Sequence, residues 1–322
     1  MKAELLLAAG LFSFAAAAVP RRDQRVNLIP KLQSGQTLTY LIRYKSDKNV
    51  KTESSFAVPL APTSSQIDAH GVLHVQILDL QLSGARPAVH ARAQFLNEDS
   101  AAPMAQPAGE KPTSRTRPLA LEGNPIEFTI SPDGLAEKIT GLDTLAPEQQ
   151  QIWQVWLARF AVAWTLPLRD AKIGDKWKID QPEQAASPIA ALTWARDSSY
   201  VRDEPCSPAQ LSPTGEVTPA SRTTETCAVL LTEAKLLQKS SPKDATPEDF
   251  KLHQLKTMGA AKGSNEIITY ISLTTGLVVR ATEDASQQMD VVIGKADGSN
   301  AVHYNVHAKS QLEVLFLTPV SP

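Results

Sequence analysis

Cysteine is nearly absent: 322 residues hold two, Cys206 and Cys227. Their spacing excludes CxxC redox chemistry, and two thiolates without nearby histidines make no zinc site. An excess of charge of one sign is also missing. Lys and Arg number 32 against 34 Asp and Glu, for a formal net charge of −2. Such a chain has no basic field, and nothing argues for nucleic acid. After the N-terminus no apolar run is long enough to cross a bilayer as a helix. The common catalytic signatures are absent as well, with no G-x-S-x-G, no H-E-x-x-H and no Walker loop. Gly259-Ala-Ala-Lys-Gly-Ser264 lacks the GK[ST] order of a phosphate loop and reads as a flexible connection. No catalytic residue, metal or cofactor is therefore assigned.

The N-terminus is informative. Lys2 is followed by Leu5-Leu-Leu7, by Leu11-Phe-Ser-Phe14 and by Ala15 to Ala18. A short positive start, an apolar middle and small residues make a secretory signal peptide over 1–18, cut before Val19. Glu4 is the one departure from that pattern. No cysteine follows the small residues, so no lipid site or membrane anchor is expected after cleavage. Residues 19–31 read as a flexible lead-in to a single unit over 32–322. In an exported chain Cys206 and Cys227 would pair across a loop rich in Pro, Ser and Thr. The open alternative is two unrelated free thiols.

What the sequence has in one place is aromatic bulk. Leu145 to Trp164, LAPEQQQIWQVWLARFAVAW, carries three of the five tryptophans. At about 100° per residue, Trp153, Trp156, Leu157, Phe160 and Trp164 fall on one stripe about 100° wide, which predicts a helix over about 145–165. Pro147 suits its first turn, Asp143 or Thr144 its cap, and Thr165-Leu-Pro167 its end. The stripe is either a core that a sheet packs against or the partial lining of a cavity for an apolar ligand. Trp153, Trp156, Phe160 and Trp164 are the candidate ligand-binding residues.

The rest alternates as strands do. Leu38, Tyr40, Ile42 and Tyr44 share a face of one strand, and Val89, Ala91, Ala93 and Phe95 share a face of another. Strand-like runs also fall at 56–60, 72–80, 126–130, 135–139, 172–179, 189–201 and 224–237. A meander of short strands is expected from 266 to 317. Four prolines make 99–119 a loop. Two pairs of segments align at similar offsets. Gly35 matches Gly174 at a turn opening a strand, and Phe128 to Gly134 matches Tyr270 to Gly276 at a hairpin. The expected fold is α+β and β-rich: a long curved antiparallel sheet, or two, in two similar halves (32–143 and 171–317), with the helix between them as shared core.

Histidines and carboxylates add little. His70/His74 and His303/His307 have helical metal-ligand spacing but lie in strand patterns, where i and i+4 are about 13 Å apart. They are read as solvent-facing. Asp79, Asp133, Asp143 and Asp175 sit at turns or strand ends, where Asp favours backbone hydrogen bonds.

The segments IEFTISPDGLAEKITGLD and LRDAKIGDKWKID resemble those of uncharacterised exported proteins of Gram-negative bacteria, over the middle and C-terminal half of the chain. The shared positions are turn and packing residues, so the resemblance implies export and a β-rich fold but no catalytic residue. Periplasmic lipid and lipoprotein carriers, which wrap a curved antiparallel sheet around apolar helices, are similar at the level of fold only. Three readings stay open. The first is an envelope binding module for an apolar small molecule or a protein partner. The others are a hydrolase using turn carboxylates with a histidine such as His70 or His90, and a purely structural envelope protein. Oligomeric state is open.

Overall fold

A computed structural model describes residues 24–54, 63–83, 86–96, 123–132, 135–162, 170–183, 187–212, 216–220 and 225–318. Thirteen strands form one sheet among them: β1 (Thr37–Ser54), β2 (Thr63–Ser83), β3 (Arg86–Leu96), β4 (Ile126–Ile130), β5 (Ala136–Thr140), β6 (Lys176–Pro182), β7 (Leu192–Cys206), β8 (Ala209–Leu211), β9 (Val217–Pro219), β10 (Glu225–Gln238), β11 (Leu255–Ser272), β12 (Val278–Lys295) and β13 (Val302–Leu317). Helix α1 spans Pro147–Val162 and a one-turn helix α2 spans Glu248–Leu252.

The strand order is β5-β4-β3-β2-β1-β13-β12-β11-β10-β7-β6, antiparallel throughout, with β8 and β9 attached beside β13. Each half of the chain is a meander. The two halves join through the first and last long strands, from Thr39 opposite Leu317 to Ser54 opposite Val302. The edges of the sheet, β5 and β6, are the two strands that flank α1 in sequence.

Alternation sets the faces. Leu38, Tyr40, Ile42 and Tyr44 are all buried on the face that carries α1. They form one core with Leu73, Val75 and Ile77 of β2, with Val89, Ala91, Ala93 and Phe95 of β3, and with the apolar face of β4. Ile152, Trp153, Trp156 and Leu157 of α1 pack into this core. The core that holds α1 is mostly first-half strand, but it extends to Leu277, Ala281, Leu312 and Val314 of the second half. The second half has clusters of its own that contain no described α1 residue. One is closed by Leu28 and Ala171 against Tyr200, Leu230 and Ile271, the other by Ile189 and Ala245 against Leu192, Leu236, Ala261 and Val291.

Several expectations change here. The lead-in expected to be loose is packed from Val26 on: Val26 pairs with Ala171, Leu28 is buried, and Lys31 N donates to Thr275 O. The start of α1 is not capped by Asp143 or Thr144, which lie in a separate 3-10 turn. Gln149 Oε1 instead accepts from Ala146 N, the back-reaching half of a capping box. Gly259 to Ser264 is no connection but the middle of β11. It was hidden because glycine and small polar residues read as loop, whereas the β12 ladder along its whole length, the β10 ladder at Gly263 and Ser264 and the Trp194 ring over Gly263 hold it extended. The short strands expected after 277 are two long ones, β12 and β13. The Pro/Ser/Thr loop closed by the cysteines contains the β8–β9 hairpin, which lays Ala209, Leu211 and Val217 on Leu41, Leu317 and Val72 on the face opposite α1. Cys206 and Cys227 are bonded. The strand expected at 56–60 and the loop at 99–119 lie outside the described residues, as do residues 1–23.

Candidate functional site

Of the four aromatic candidates, two are placed in full. Trp153 is 2% exposed and Trp156 1%. Their rings meet edge to face at 5.7 Å, and each has a second aromatic partner, Phe95 at 5.0 Å and Phe128 at 6.0 Å. Such pairs add to burial. Both rings are filled core and present no open surface. The Phe160 side chain and Trp164 lie outside the described residues.

The titratable candidates fall mainly on the opposite face. His70 is exposed, and His90 Nε2 lies 3.8 Å from Oε2 of Glu127, whose Oε1 accepts from Arg92 Nε. His74 is half-buried, and that burial lowers its pKa. Asp79 and Asp175 accept from the backbone N–H of Leu80 and Lys172, as turn aspartates do; Asp143 is in the 3-10 turn, and Asp133 is outside the described residues. His303 Nε2 is 3.0 Å from Asp290 Oδ1, and its Nδ1 is 3.6 Å from Glu53 Oε2. The bond to Asp290 raises the His303 pKa and lowers that of the carboxylate. His307 lies opposite Asn49 and Gln288. Among the described residues no group of three or more His, Cys, Asp or Glu can hold a metal ion.

Ladder registers place a different constellation on the face that carries α1. One row runs across the strands as Ser198, Thr232, Ile267, Glu283, Leu312 and Tyr44. The next row is Arg196, Ala234, Asn265, Ala285, Ser310 and Ser46. Arg196, Ser198, Thr232, Asn265 and Glu283 are all buried, making a polar belt between the two apolar clusters of the second half. Ser198 Oγ and Thr232 Oγ1 are 2.8 Å apart, and Asn265 Nδ2 donates to Glu283 Oε1 at 2.5 Å. Asn265 Oδ1 has no partner. A buried acceptor without a donor costs about 1–3 kcal/mol.

From Asn265 the floor of this face is small as far as Ser310, and the next row sets Gln287 of β12 and Lys48 of β1 on either side of Ala308. Ala285 lies opposite Asn265, Ser310 opposite Ala285, and Ala308 one step further along β13. All three are half-buried. This lane leads to a row of Met289, Val306 and Val50, adjacent on β12, β13 and β1 and again half-buried. Tyr304 and Ile293 continue it beside the Ile189 cluster, and Ile67 beside the α1 core. The lane is therefore apolar and half-open at one end and polar and closed at the other.

Sequence reasoning did not single out Arg196, Asn265 or Glu283. The available signal was phase: Leu192, Trp194, Arg196, Ser198 and Tyr200 are alternate residues of one strand, so an arginine stands at an inward position. Asn265 gave no such signal, because the segment before it did not read as strand. No family model matches the chain, and no curated protein is similar to it.

Proposed function

We propose that this chain is an exported, non-enzymatic binding module of the cell envelope that holds an apolar chain against the α1-bearing face of its sheet. The row of Met289, Val306 and Val50 carries this reading. These side chains alternate inward with the core yet remain half-buried: Met289 packs against the edge of the Ile189 cluster, and Val306 and Val50 belong to no buried cluster. Apolar surface left open beside a core is the ordinary mark of a binding surface. The apolar site thereby moves away from the tryptophans, whose rings are enclosed. Export rests on the signal-like N-terminus and agrees with the disulfide.

The two-half organisation belongs to the same reading. Gly35 N donates to Ile77 O while Ile77 N donates to Gln36 O; Gly174 N donates to Tyr200 O while Tyr200 N donates to Asp175 O. Register shifts follow at the matching places, after Ile77 and opposite Tyr200. A duplicated meander explains how one wide face was built, with α1 packed on the core that centres on its first half.

Native mass spectrometry of gently purified protein, with palmitate titration followed by tryptophan fluorescence, tests the binding reading. Bound lipid, or a saturable response that Val306→Asp weakens at least about tenfold, supports it. No co-purified lipid and no response would sink it. The hydrolase alternative draws no comparable support from His70 and His90, which lie on the exposed opposite face.

A further inference from the structure

The two edges of the sheet are not alike. β5 is blunted: its pairing with β4 slips between Glu127 and Thr129, and Lys138 within it has φ +52°. β6 is regular. It pairs with β7 residue for residue, from Lys176 opposite Ser199 to Pro182 opposite Thr193. The turn that opens it, at Gly174, is the counterpart of the turn at Gly35 that opens β1. β1 is paired on both sides, by β2 and β13. Among the described residues β6 is paired on one side only.

The bonds at its two ends show which groups face the open side. Asp175 O accepts from Tyr200 N, and Glu183 N donates to Leu192 O. Alternate residues of a strand aim their N–H and C=O the same way. Trp177, Ile179 and Gln181 therefore serve β7. Lys176, Lys178 and Asp180 turn N–H and C=O outward, and Pro182 its carbonyl. All four are exposed. Such a row is a template for another strand, although lysines on an edge ordinarily keep strands away. One arrangement removes that objection. Let β6 lie antiparallel to β6 of a second copy, about a two-fold axis through Ile179, so that its 7 residues overlap in full. Lys178 then faces Asp180 of the second copy, and Asp180 faces the second copy's Lys178. Trp177 faces Gln181, and Lys176 faces Pro182, whose carbonyl accepts. The next register in phase, on either side, sets Lys178 or Asp180 opposite itself. Like charges directly opposed are destabilising.

We propose that β6 is a self-complementary docking edge whose partner is a second copy of this chain, joined strand to strand about Ile179. The product is one continuous sheet with both α1 helices on the same face. The contact is a single strand pair, smaller than the roughly 1,200 Å² at which stable interfaces begin, so the expected Kd is on the order of tens of micromolar. The pairing neither needs nor supports an apolar ligand.

Sedimentation equilibrium of the full mature chain from about 1 to 500 μM tests it. A reversible monomer–dimer equilibrium is expected. Lys178→Pro removes an outward N–H without touching the β7 ladder and is expected to leave monomer alone. Lys178→Asp or Asp180→Lys is expected to weaken association at least about tenfold, and the two together to restore it to within about threefold. Ile179→Cys sets two thiols at the axis, about 4.5 Å apart at Cα and within disulfide reach. Mild oxidation is expected to trap that variant as a covalent dimer and to leave Lys176→Cys, which lies away from the axis, uncrosslinked. Where circular dichroism shows that Lys178→Pro does not fold, the charge exchange and the cross-link decide. A chain that stays monomeric throughout the range overturns the inference. A dimer that survives in folded Lys178→Pro, or that ignores the charge exchange, overturns it as well. Growth beyond the dimer overturns it too, because an isologous pair closes on itself.

Discussion

A Cβ placed on Gly276 would lie 2.2 Å from the carbonyl oxygen of Ile29. The turn between β11 and β12 and the N-terminal segment are in direct backbone contact there. Gly276 also has φ +71°, a region that L side chains enter at a cost. Lys31 adds two bonds to the same turn, through its N–H to Thr275 O and its Nζ to Thr274 O. Gly276→Ala should therefore destabilise the chain by about 2–4 kcal/mol, through strain together with displacement of 26–31 from the second-half core. Urea unfolding monitored by circular dichroism measures it. A loss below about 0.5 kcal/mol would mean that the segment shifts freely.

The enclosed tryptophans give a second expectation. Trp156→Ala or Trp153→Ala should each cost about 3–5 kcal/mol, as large aromatic truncations in cores do. The two rings touch, so the double variant should cost less than the sum, with a coupling of at least about 0.5 kcal/mol in a double-mutant cycle. Neither single variant should change palmitate binding at temperatures where it remains folded. A selective loss of binding in a folded Trp156→Ala protein would return the ligand to the helix.

These two cases show where the sequence was readable. The phase of β1 and β3 could be read from Leu38 to Tyr44 and Val89 to Phe95, because an apolar face opposes a polar one. The helix was readable from the spacing of its aromatics at its own period, although Val155, Ala158 and Val162 leave its far side apolar as well. The middles of β11, β12 and β13 were not, since Gly259, Gly263, Ser286, Gln287 and Ser310 leave both faces weakly marked. What keeps those stretches extended is pairing with strands far away in sequence, as β13 pairs with β1 from Thr39 opposite Leu317 to Ser54 opposite Val302. The polar belt was illegible for a related reason. Asn265 and Glu283 meet only because β11 and β12 are in register, and register between long, weakly patterned strands is not written locally.

The disulfide makes a third prediction. It joins positions 21 residues apart and, on the chain-entropy model, contributes about 3 kcal/mol. Cys206→Ala with Cys227→Ala should lower unfolding free energy by about that amount. It should also loosen the β8–β9 hairpin first, since among the described residues short ladders and the Leu41–Leu317 patch hold it otherwise. Hydrogen exchange at the Thr318 amide, which donates to Ala209 O, reports this directly. Unchanged exchange there with a large global loss would show that the bond acts on the whole sheet instead.

The last prediction concerns pH and the surface pair Asp290–His303. The hydrogen bond from His303 is the leading cause that lowers the Asp290 pKa from 3.8, and the bond to Asp290 is the leading cause that raises that of His303 from 6.5. The histidine contribution is complete below the unfolded value of 6.5 and is lost as pH rises through the folded value. The aspartate contribution is complete above 3.8 and is lost as pH falls through its folded value. The pair is therefore worth most between about pH 4 and 6.5. Both side chains are well exposed, at 35% and 64%, so solvent screening keeps the gain to a few tenths of a kcal/mol, about 1 kcal/mol at most. Asp290→Asn should narrow the difference between stability at pH 5.5 and at pH 8.5, and added salt should narrow it in the unaltered protein. Glu53 faces the other ring nitrogen from β1, so Glu53→Gln should give a smaller change of the same sign. A pH profile of Asp290→Asn that overlays the unaltered protein from pH 4 to 9 would show that the ion pair contributes nothing measurable to the β12–β13 ladder.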